Sequence, residues 1–418
     1  MHPQENNQLK LPELLAPAGN MEKLRSAIHY GADAVYMGGK RFSLRANAGN
    51  FNDDELREAV AYAHDHNTKV FVTINIFAHQ RDLDGLEAYL HFLEDSKADG
   101  LIISDPGILA MARKTVPKMS IHLSTQANVT NPAAAQFWED QGVTRLNLAR
   151  EMSLGEIKAI REAVSCKLEL FVHGALCISY SGRCMLSLYL TGRDANKGNC
   201  AHPCRYKYAL TEEKRPGQSF PVEEDEHGTY IFNAKDLCLL NRLPDLISAG
   251  ADSIKIEGRM KSVYYVGATV RLYRAALDYL AANNFKGPLP KEFAEELGKI
   301  GTRGHSENFL DGPPEQKDML YDGVTVRQEY APVGIVRESG SEPLIEARNP
   351  IRPGQTIEYM APDLSNQTFS VDKIIGEDNT VLEQANPGQI VRLVLEKVPA
   401  EQVFTPNSLF RRTFSNSL

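Results

Sequence analysis

The strongest constraint on the fold is an alternation of short apolar stretches with amphipathic helical stretches, which runs from Leu11 to about Asn283. This alternation is typical of repeated βα units around a parallel sheet. It predicts eight strands, at Glu13–Ala16, Ala34–Gly38, Val70–Asn75, Gly100–Ser104, Ser120–Ser124, Arg145–Ala149, Leu168–His173 and Ser253–Glu257. Predicted helices include Met21–Tyr30, Asp54–His64, Leu83–Asp95, Pro132–Gln141, Leu154–Val164 and Ser262–Ala282.

Eight such units predict an α/β fold, a closed (β/α)8 TIM-like barrel with functional side chains on the loops after the strand C-termini. An open doubly wound sheet is the alternative, but no G-x-G-x-x-G motif follows the first strand. Roughly 80 residues separate strands seven and eight, where about 25 to 40 are usual. This Cys-rich insertion contains five of the six cysteines, which indicates a functional element.

The last ~90 residues change to short alternating strands separated by Gly, Pro, Asn and Asp, which predicts a small C-terminal antiparallel β-barrel. Its predicted strands are Val333–Val336, Gln355–Glu358, Val371–Ile375, Thr380–Leu382 and Gln389–Leu395. We therefore predict a disordered tail at 1–10, a barrel domain at 11–283 with a cluster-bearing insertion at 177–240, a linker region at 284–326 and a β-barrel domain at 327–418.

Composition indicates a folded protein of the cytoplasm. The 418 residues exceed what one hydrophobic core usually organises, and 42% are hydrophobic. The polar N-terminus contains no signal peptide, and no apolar run is long enough to cross a membrane. In a reducing compartment, six cysteines favour a metal centre or redox chemistry over structural disulfides.

The net charge of −8 gives no overall signature of a nucleic-acid binder, so any RNA contact must be local. One stretch of the insertion reverses the trend, because three acidic residues there face seven basic ones: Arg183, Arg193, Lys197, Arg205, Lys207, Lys214 and Arg215. A solvated loop with scattered charge is the alternative interpretation.

The cysteines follow the pattern Cys177-x6-Cys184-x15-Cys200-x3-Cys204-x33-Cys238, with Cys166 upstream. Buried free thiols are one interpretation, although five in 62 residues disfavour it. A structural zinc site is another, but only Cys200 and Cys204 have the usual close spacing. Four thiolates from several loops could also surround an iron–sulfur cluster. The spacing alone leaves these alternatives open.

Four segments resemble the collagenase-like U-family peptidases. They are ELFVHGALCISYSGRC at 169–184, GNCAHPCR at 198–205, PELLAPAGN at 12–20 and FSLRANAGNF at 42–51. The match spans essentially the whole chain, and the long form with a C-terminal β-barrel resembles the branch of this family that hydroxylates tRNA. No Ser-His-Asp order, H-E-x-x-H or G-x-S-x-G motif supports the peptidase label.

This resemblance implies a [4Fe-4S] cluster and formation of 5-hydroxyuridine at the wobble position of tRNAs, with prephenate as oxygen source. Other members hydroxylate ribosomal RNA or ubiquinone precursors. The implied cluster ligands are Cys177, Cys184, Cys200 and Cys238, with Cys204 as the spare. A collagenase-like peptidase, and a non-catalytic subunit that binds RNA or protein, are the alternative functions.

Several polar residues stand where a barrel exposes side chains to ligands. Arg45 and Asn47 follow strand two and Arg259 follows strand eight, so the two arginines could each pair with one carboxylate of prephenate. Gln126 and Asn128 follow strand five and are candidates for hydrogen bonds to a ligand or base, whereas His122 is better explained as a core histidine. RNA binding is predicted for Lys197, Arg205 and Lys207.

Catalytic roles are predicted for three residues of strands seven and eight, namely His173, Glu169 and Glu257. Glu169 and His173 point to the same side of their strand because side chains alternate with period two. For Glu169, Glu257 and the arginines, structural ion pairs are the alternative interpretation.

Overall fold

The computed structural model describes residues 9–44, 49–176, 184–193, 195, 199–203, 210–211, 219–220, 223–225, 228–230, 233–313, 319–320 and 328–414. A closed barrel of eight parallel strands organises the first part, as the sequence predicts. The strands are β1 Glu13–Pro17, β2 Ala34–Gly38, β3 Lys69–Ile74, β4 Gly100–Ile103, β5 Ser120–Leu123, β6 Arg145–Asn147, β7 Lys167–Gly174 and β8 Ser253–Ile256. Each pairs with the next, and β8 pairs with both β7 and β1 to close the barrel.

Helices surround the barrel and follow the strands in alternation. They are α1 Met21–His29, α2 Asp53–Asp65, α3 Leu86–Asp95, α4 Pro106–Thr115, α5 Pro132–Asp140, α6 Leu154–Ala163, α7 Leu186–Thr191, α8 Leu243–Ser248, α9 Val263–Ala282 and α10 Lys291–Gly298. Local sequence fixes their starts: Asn52 with Glu55, and Ser153 with Glu156, form capping boxes at α2 and α6. No helix in the described part of the chain is both long and apolar enough to cross a membrane.

The barrel interior combines aromatic and charged side chains. Tyr36 and Phe71 pack inside with Leu15, Ala34 and Ile102. Beside them, ion pairs cross the interior from Arg145 to Glu13 and Glu169 and from Lys255 to Glu169. Because each of these charges has an opposite partner, the interior can bury them.

The insertion rejoins the barrel at its mouth. A short strand, Asp236–Cys238, runs antiparallel to the end of β7 and pairs Leu237 with Gly174 and Cys238 with His173. A second short strand, His305–Ser306, pairs with it in parallel. The predicted linker region 284–326 thus contributes helix α10 and this strand, which extends the barrel sheet.

The C-terminal part forms a closed antiparallel barrel of six strands, which confirms the second fold prediction. The strands of this part are β9 Tyr330–Glu338, β10 Leu344–Ala347, β11 Thr356–Met360, β12 Gln367–Gly376, β13 Val381–Leu382, β14 Ile390–Leu395 and β15 Leu409–Thr413. The closed order is β11-β15-β9-β10-β14-β12, with β11 pairing back to β12 and β13 lying outside the ring.

Candidate functional site at the barrel mouth

The carboxyl end of β7 brings a cysteine of the insertion next to a buried histidine. Cys238 pairs in register with His173, and its Sγ lies 3.9 Å from the Tyr273 hydroxyl. That hydroxyl donates to the Val172 carbonyl at 2.9 Å and lies 3.4 Å from His173 Nδ1. Burial, with nearby His305 and Lys261, lowers the pKa of His173 to about 3, so the imidazole is neutral. Burial also raises the pKa of the Cys238 thiol.

Two further predicted ligands flank helix α7. Cys184 lies two residues before this helix, and Ser187 in its first turn accepts a 2.9 Å hydrogen bond from the Ala201 backbone. That contact brings Cys200 to the same helix as Cys184. The His202 backbone donates to Cys200 Sγ at 3.3 Å, the kind of hydrogen bond that tunes cluster sulfurs.

The three described thiols of the predicted ligand set are of the chemical type that binds an iron–sulfur cluster. Cys184, Cys200 and Cys238 are all free and half-buried. Within the described residues, no three His, Cys, Asp or Glu side chains are arranged to hold a metal ion. Cys177 and Cys204 lie outside the described residues. The thiolate set named in the sequence analysis therefore stays a prediction.

Arg259 is buried at the mouth and binds the loop after β2. Its Nη1 donates to Ser43 Oγ at 3.0 Å and to Thr73 Oγ1 at 3.1 Å, and its Nη2 donates to the Leu44 carbonyl. Gly38 makes room for this contact, since a Cβ there would lie 2.3 Å from Arg259 Nη1. The guanidinium is thereby tied to the segment that leads directly into residue 45.

A second polar chain links the same loop to β5. The Leu44 backbone donates to Asn75 Oδ1 at 3.2 Å, and Asn75 Nδ2 donates to Gln126 Oε1 at 2.8 Å. Ser124 Oγ also donates to Gln126 Oε1, at 3.2 Å. Gln126 lies in a 3-10 turn, Thr125–Ala127, and Asn128 ends that turn in the left-handed conformation with φ 54°. The structure thus brings Gln126 and Arg259 to one loop.

The two predicted catalytic carboxylates differ in their surroundings. Glu169 is 1% exposed, and its two oxygens accept from Arg145 at 3.1 Å and Lys255 at 2.8 Å. This favours the structural ion pair that the sequence left open. Glu257 is half-buried at the mouth, and its backbone N–H donates to the His173 carbonyl. His122 is buried against Phe71, and burial, with Arg145 and Lys255 nearby, lowers its pKa well below the usual value, as suits a core histidine.

The remaining predicted site residues lie outside the described residues: Arg45, Asn47, Lys197, Arg205 and Lys207.

Comparison with known proteins places this architecture in a family. The family model described as peptidase family U32 matches residues 19–320, and that of its C-terminal domain matches residues 328–411. The chain belongs to peptidase family U32. Both family models match this U32 protein, one after the other along the chain.

Relatives at high identity assign this U32 protein to the branch named for tRNA hydroxylation. It is 41% identical to tRNA hydroxylation protein P1 of Bacillus subtilis, over 93% of each chain. It is 36% identical to tRNA hydroxylation protein P of Escherichia coli, over 86% of this chain and 88% of that one. It is also 40% identical to the 23S rRNA 5-hydroxycytidine C2501 synthase of Escherichia coli, over 72% of this chain and 45% of that one.

Sequence reasoning missed several residues at the mouth of this U32 protein. Asn75 closes a predicted apolar strand with a polar side chain, the same signal that marked Gln126, so it could have been found. His305 lies beside the His173 ring, with centroids 5.7 Å apart, but belongs to a stretch that appeared to be a linker. Asp236 forms an ion pair with Arg303 at 2.5 Å. Burial would raise the pKa of Asp236, but Arg303 outweighs burial and lowers it. No local pattern indicates that pair.

Proposed function

We propose that this protein is a tRNA-modifying iron–sulfur enzyme that hydroxylates the wobble uridine to 5-hydroxyuridine, with prephenate as oxygen donor. The observation that carries the proposal is the pairing of Cys238 with His173. It puts a thiol of the insertion at the barrel mouth, beside the strand whose chain continues to Cys177. The names of the relatives, which include tRNA and rRNA hydroxylation proteins, support an RNA substrate.

In this proposal Cys177, Cys184, Cys200 and Cys238 hold a [4Fe-4S] cluster, which supplies redox or Lewis-acid chemistry at the mouth. The protein's own contribution is positioning. The short strand Asp236–Cys238 is fixed by β7 on one side and by His305–Ser306 on the other. Neutral His173 packs against Tyr273 and keeps the strand end buried.

Arg259 and Arg45 would bind the two carboxylates of prephenate. Arg259 supports this role because it is a buried cation held by Ser43, Thr73 and the Leu44 carbonyl. Those bonds fix the segment that precedes residue 45, which favours two guanidiniums near one another. Gln126, Asn128 and Asn47 would contact the nucleotide, and Lys197, Arg205 and Lys207 the phosphate backbone.

Iron analysis of single Ser variants tests the cluster. Anaerobically purified protein should contain iron, and its iron-to-protein ratio should collapse in Cys177→Ser, Cys184→Ser, Cys200→Ser and Cys238→Ser. Cys166→Ser is the matched control, because Cys166 lies before β7 and outside the insertion. Iron retained in Cys200→Ser but lost in Cys204→Ser would transfer the ligand role to Cys204.

Nucleoside mass spectrometry of tRNA tests the reaction. A deletion strain should lack 5-hydroxyuridine, and the wild-type gene should restore it, whereas the Cys238→Ser gene should not. Peptide hydrolysis by iron-free protein, with unchanged tRNA nucleosides in the deletion strain, would contradict the proposal and favour the peptidase alternative.

A further inference from the structure

Gln126 is a buried glutamine whose carboxamide has a fixed direction. It is 6% exposed, and its Oε1 accepts hydrogen bonds from Asn75 Nδ2 and Ser124 Oγ. Asn75 in turn accepts from the Leu44 backbone N–H. A backbone N–H can only donate, so Asn75 must turn its oxygen to Leu44 and its amino group to Gln126. Gln126 must therefore turn its own oxygen to Asn75.

The hydrogen-bonded chain from Leu44 through Asn75 to Gln126, called the relay below, leaves the Gln126 amino group directed away from Asn75. Its Nε2 is buried and has no hydrogen-bond partner within the described part of the chain. Asn128 Oδ1, two residues further on, is likewise buried without a partner there. The end of β5 thus presents one unpaired donor and one unpaired acceptor, a costly arrangement that a bound ligand with the opposite pattern would relieve.

We propose that Gln126 is the residue that selects uridine, by donating from Nε2 to O4 of the target base while Asn128 Oδ1 accepts from N3–H. This inference rests on the proposed function. Uracil presents an acceptor at position 4 and a donor at position 3, and cytosine presents the reverse. Because O4 is attached to the ring carbon next to C5, the contact that reads O4 also positions C5 for hydroxylation.

A substitution at position 75 that reverses the donor and acceptor direction of the relay tests this inference. An aspartate at position 75 has only acceptors when ionised, so it would still accept from Leu44 but would draw the Gln126 amino group toward itself. Gln126 would then present its oxygen to the base, which matches the amino group of cytosine, and Asn128 would turn its amino group to N3 of cytosine, which is an acceptor. Asn75→Asp should therefore shift the preference from uridine toward cytidine. Asn131→Asp, an exposed helix cap, is the matched control.

Binding and product formation are measured with the full-length holoprotein and anticodon-arm RNAs that carry uridine, cytidine or pyrimidin-2-one riboside, which lacks both O4 and the N3 proton, at the target position. Wild type should prefer uridine over each of the other two by roughly tenfold to hundredfold. Gln126→Met keeps the side-chain length and should reduce, without abolishing, the preference for uridine over pyrimidin-2-one, because Asn128 still accepts from N3–H of uridine. Gln136→Met, on the exposed face of α5, should behave as wild type.

Unchanged preference for uridine in both Gln126→Met and Asn75→Asp, with wild-type unfolding temperatures, would overturn the inference while leaving RNA hydroxylation intact. If wild type neither binds nor modifies the uridine RNA, the proposed function itself fails. If Gln126→Met does not fold, the change of base preference in Asn75→Asp still tests the inference. A purely structural role of Gln126 predicts no gain in cytidine binding in that variant.

Discussion

At the residue scale, Gly38 lies where β2 ends and where the Arg259 guanidinium reaches across from the end of β8. A Cβ at Gly38 would lie 2.2 Å from Ser43 Oγ and 2.3 Å from Arg259 Nη1. Both atoms belong to the hydrogen-bonded group that holds the loop after β2. The site therefore needs a glycine at position 38, because a side chain there would collide with Ser43 and Arg259.

We expect Gly38→Ala to displace Arg259 and to lower the free energy of unfolding by about 1–3 kcal/mol, as overpacking usually does. Product formation should fall while iron content stays at the wild-type level, because the contact is with Arg259 and not with a thiol. Thermal unfolding, iron analysis and nucleoside analysis check this. Gly155→Ala in α6 is the control, since a Cβ there meets nothing within 4 Å. Equal stability and equal product formation in the two variants would contradict a role of Gly38 in placing Arg259.

Arg259→Ala and Arg45→Ala should keep iron and RNA affinity yet lose 5-hydroxyuridine, because they remove donor binding and leave metal assembly intact. Each lost charge-assisted contact should weaken donor binding by roughly 1.5–3 kcal/mol. Arg57→Ala, on the exposed side of α2, is the matched control. Normal 5-hydroxyuridine levels in both arginine variants would contradict donor binding and would favour structural ion pairs for Arg45 and Arg259.

Residue types at strand ends were predictable from sequence, but their partners were not. Glu169 appeared to be a catalytic candidate because it alternates with apolar neighbours on β7. Its partners Arg145 and Lys255 lie 24 and 86 residues away, and only barrel closure brings them together. Arg259 shows the same limit, since its acceptors Ser43 and Thr73 belong to other βα units.

At the element scale, the insertion is tied to the barrel by short pairings that have little sequence signal. Asp236–Cys238 has three residues and His305–Ser306 has two, and neither shows the alternation that marks a longer strand. They form by pairing, Asp236–Cys238 with β7 and His305–Ser306 with Asp236–Cys238. Sequence identified the insertion by its length and cysteines, and the structure supplies the return of its last cysteine to the mouth.

The insertion should carry the RNA-binding charge, because the whole chain has a net charge of −8 and cannot attract phosphate overall. Replacing Lys197, Arg205 and Lys207 by Ala should weaken tRNA binding and flatten its salt dependence, since fewer counterions are released. Binding isotherms across a salt series measure both. Replacing the exposed Lys114, Lys118 and Lys158 removes the same charge as a control. An unchanged slope in the insertion variant would place the RNA contact elsewhere.

At the scale of the whole molecule, the two barrels are joined through a buried group of charges. Arg271 of α9 donates to the Ala361 carbonyl at 2.9 Å and binds Glu296 of α10. Arg411 of β15 donates to both oxygens of Glu296, each at 2.8 Å. Tyr30, the residue that follows α1, donates to the Met360 carbonyl and accepts from the Leu409 backbone. The predicted fold contained both barrels, but not this joint, whose members come from the end of α1, from α9, α10 and the C-terminal strands.

Glu296 pairs with Arg271, Arg411 and Lys299. Burial alone would raise its pKa, but the arginines prevail and lower it from the usual 4.5 to about 2. A carboxyl group whose pKa is lower in the folded state stabilises the fold fully above its unfolded pKa. That contribution is lost as the pH falls from about 4.5 through about 2.

We therefore expect Glu296→Gln to lower the free energy of unfolding by about 3–5 kcal/mol near neutral pH, because it removes the carboxylate paired with buried Arg271 and leaves buried Arg411 with Glu358 alone. The difference from wild type should shrink as the pH falls from about 4.5 to about 2, because the wild-type carboxyl group takes up a proton first in the unfolded state and only near pH 2 in the folded state. Denaturant unfolding followed across a pH series measures both effects. Glu295→Gln is the matched control, because Glu295 is exposed on the same helix and pairs with exposed Lys291 at 3.8 Å. A constant difference across the pH series would show that the joint depends on packing around position 296 and not on its charge.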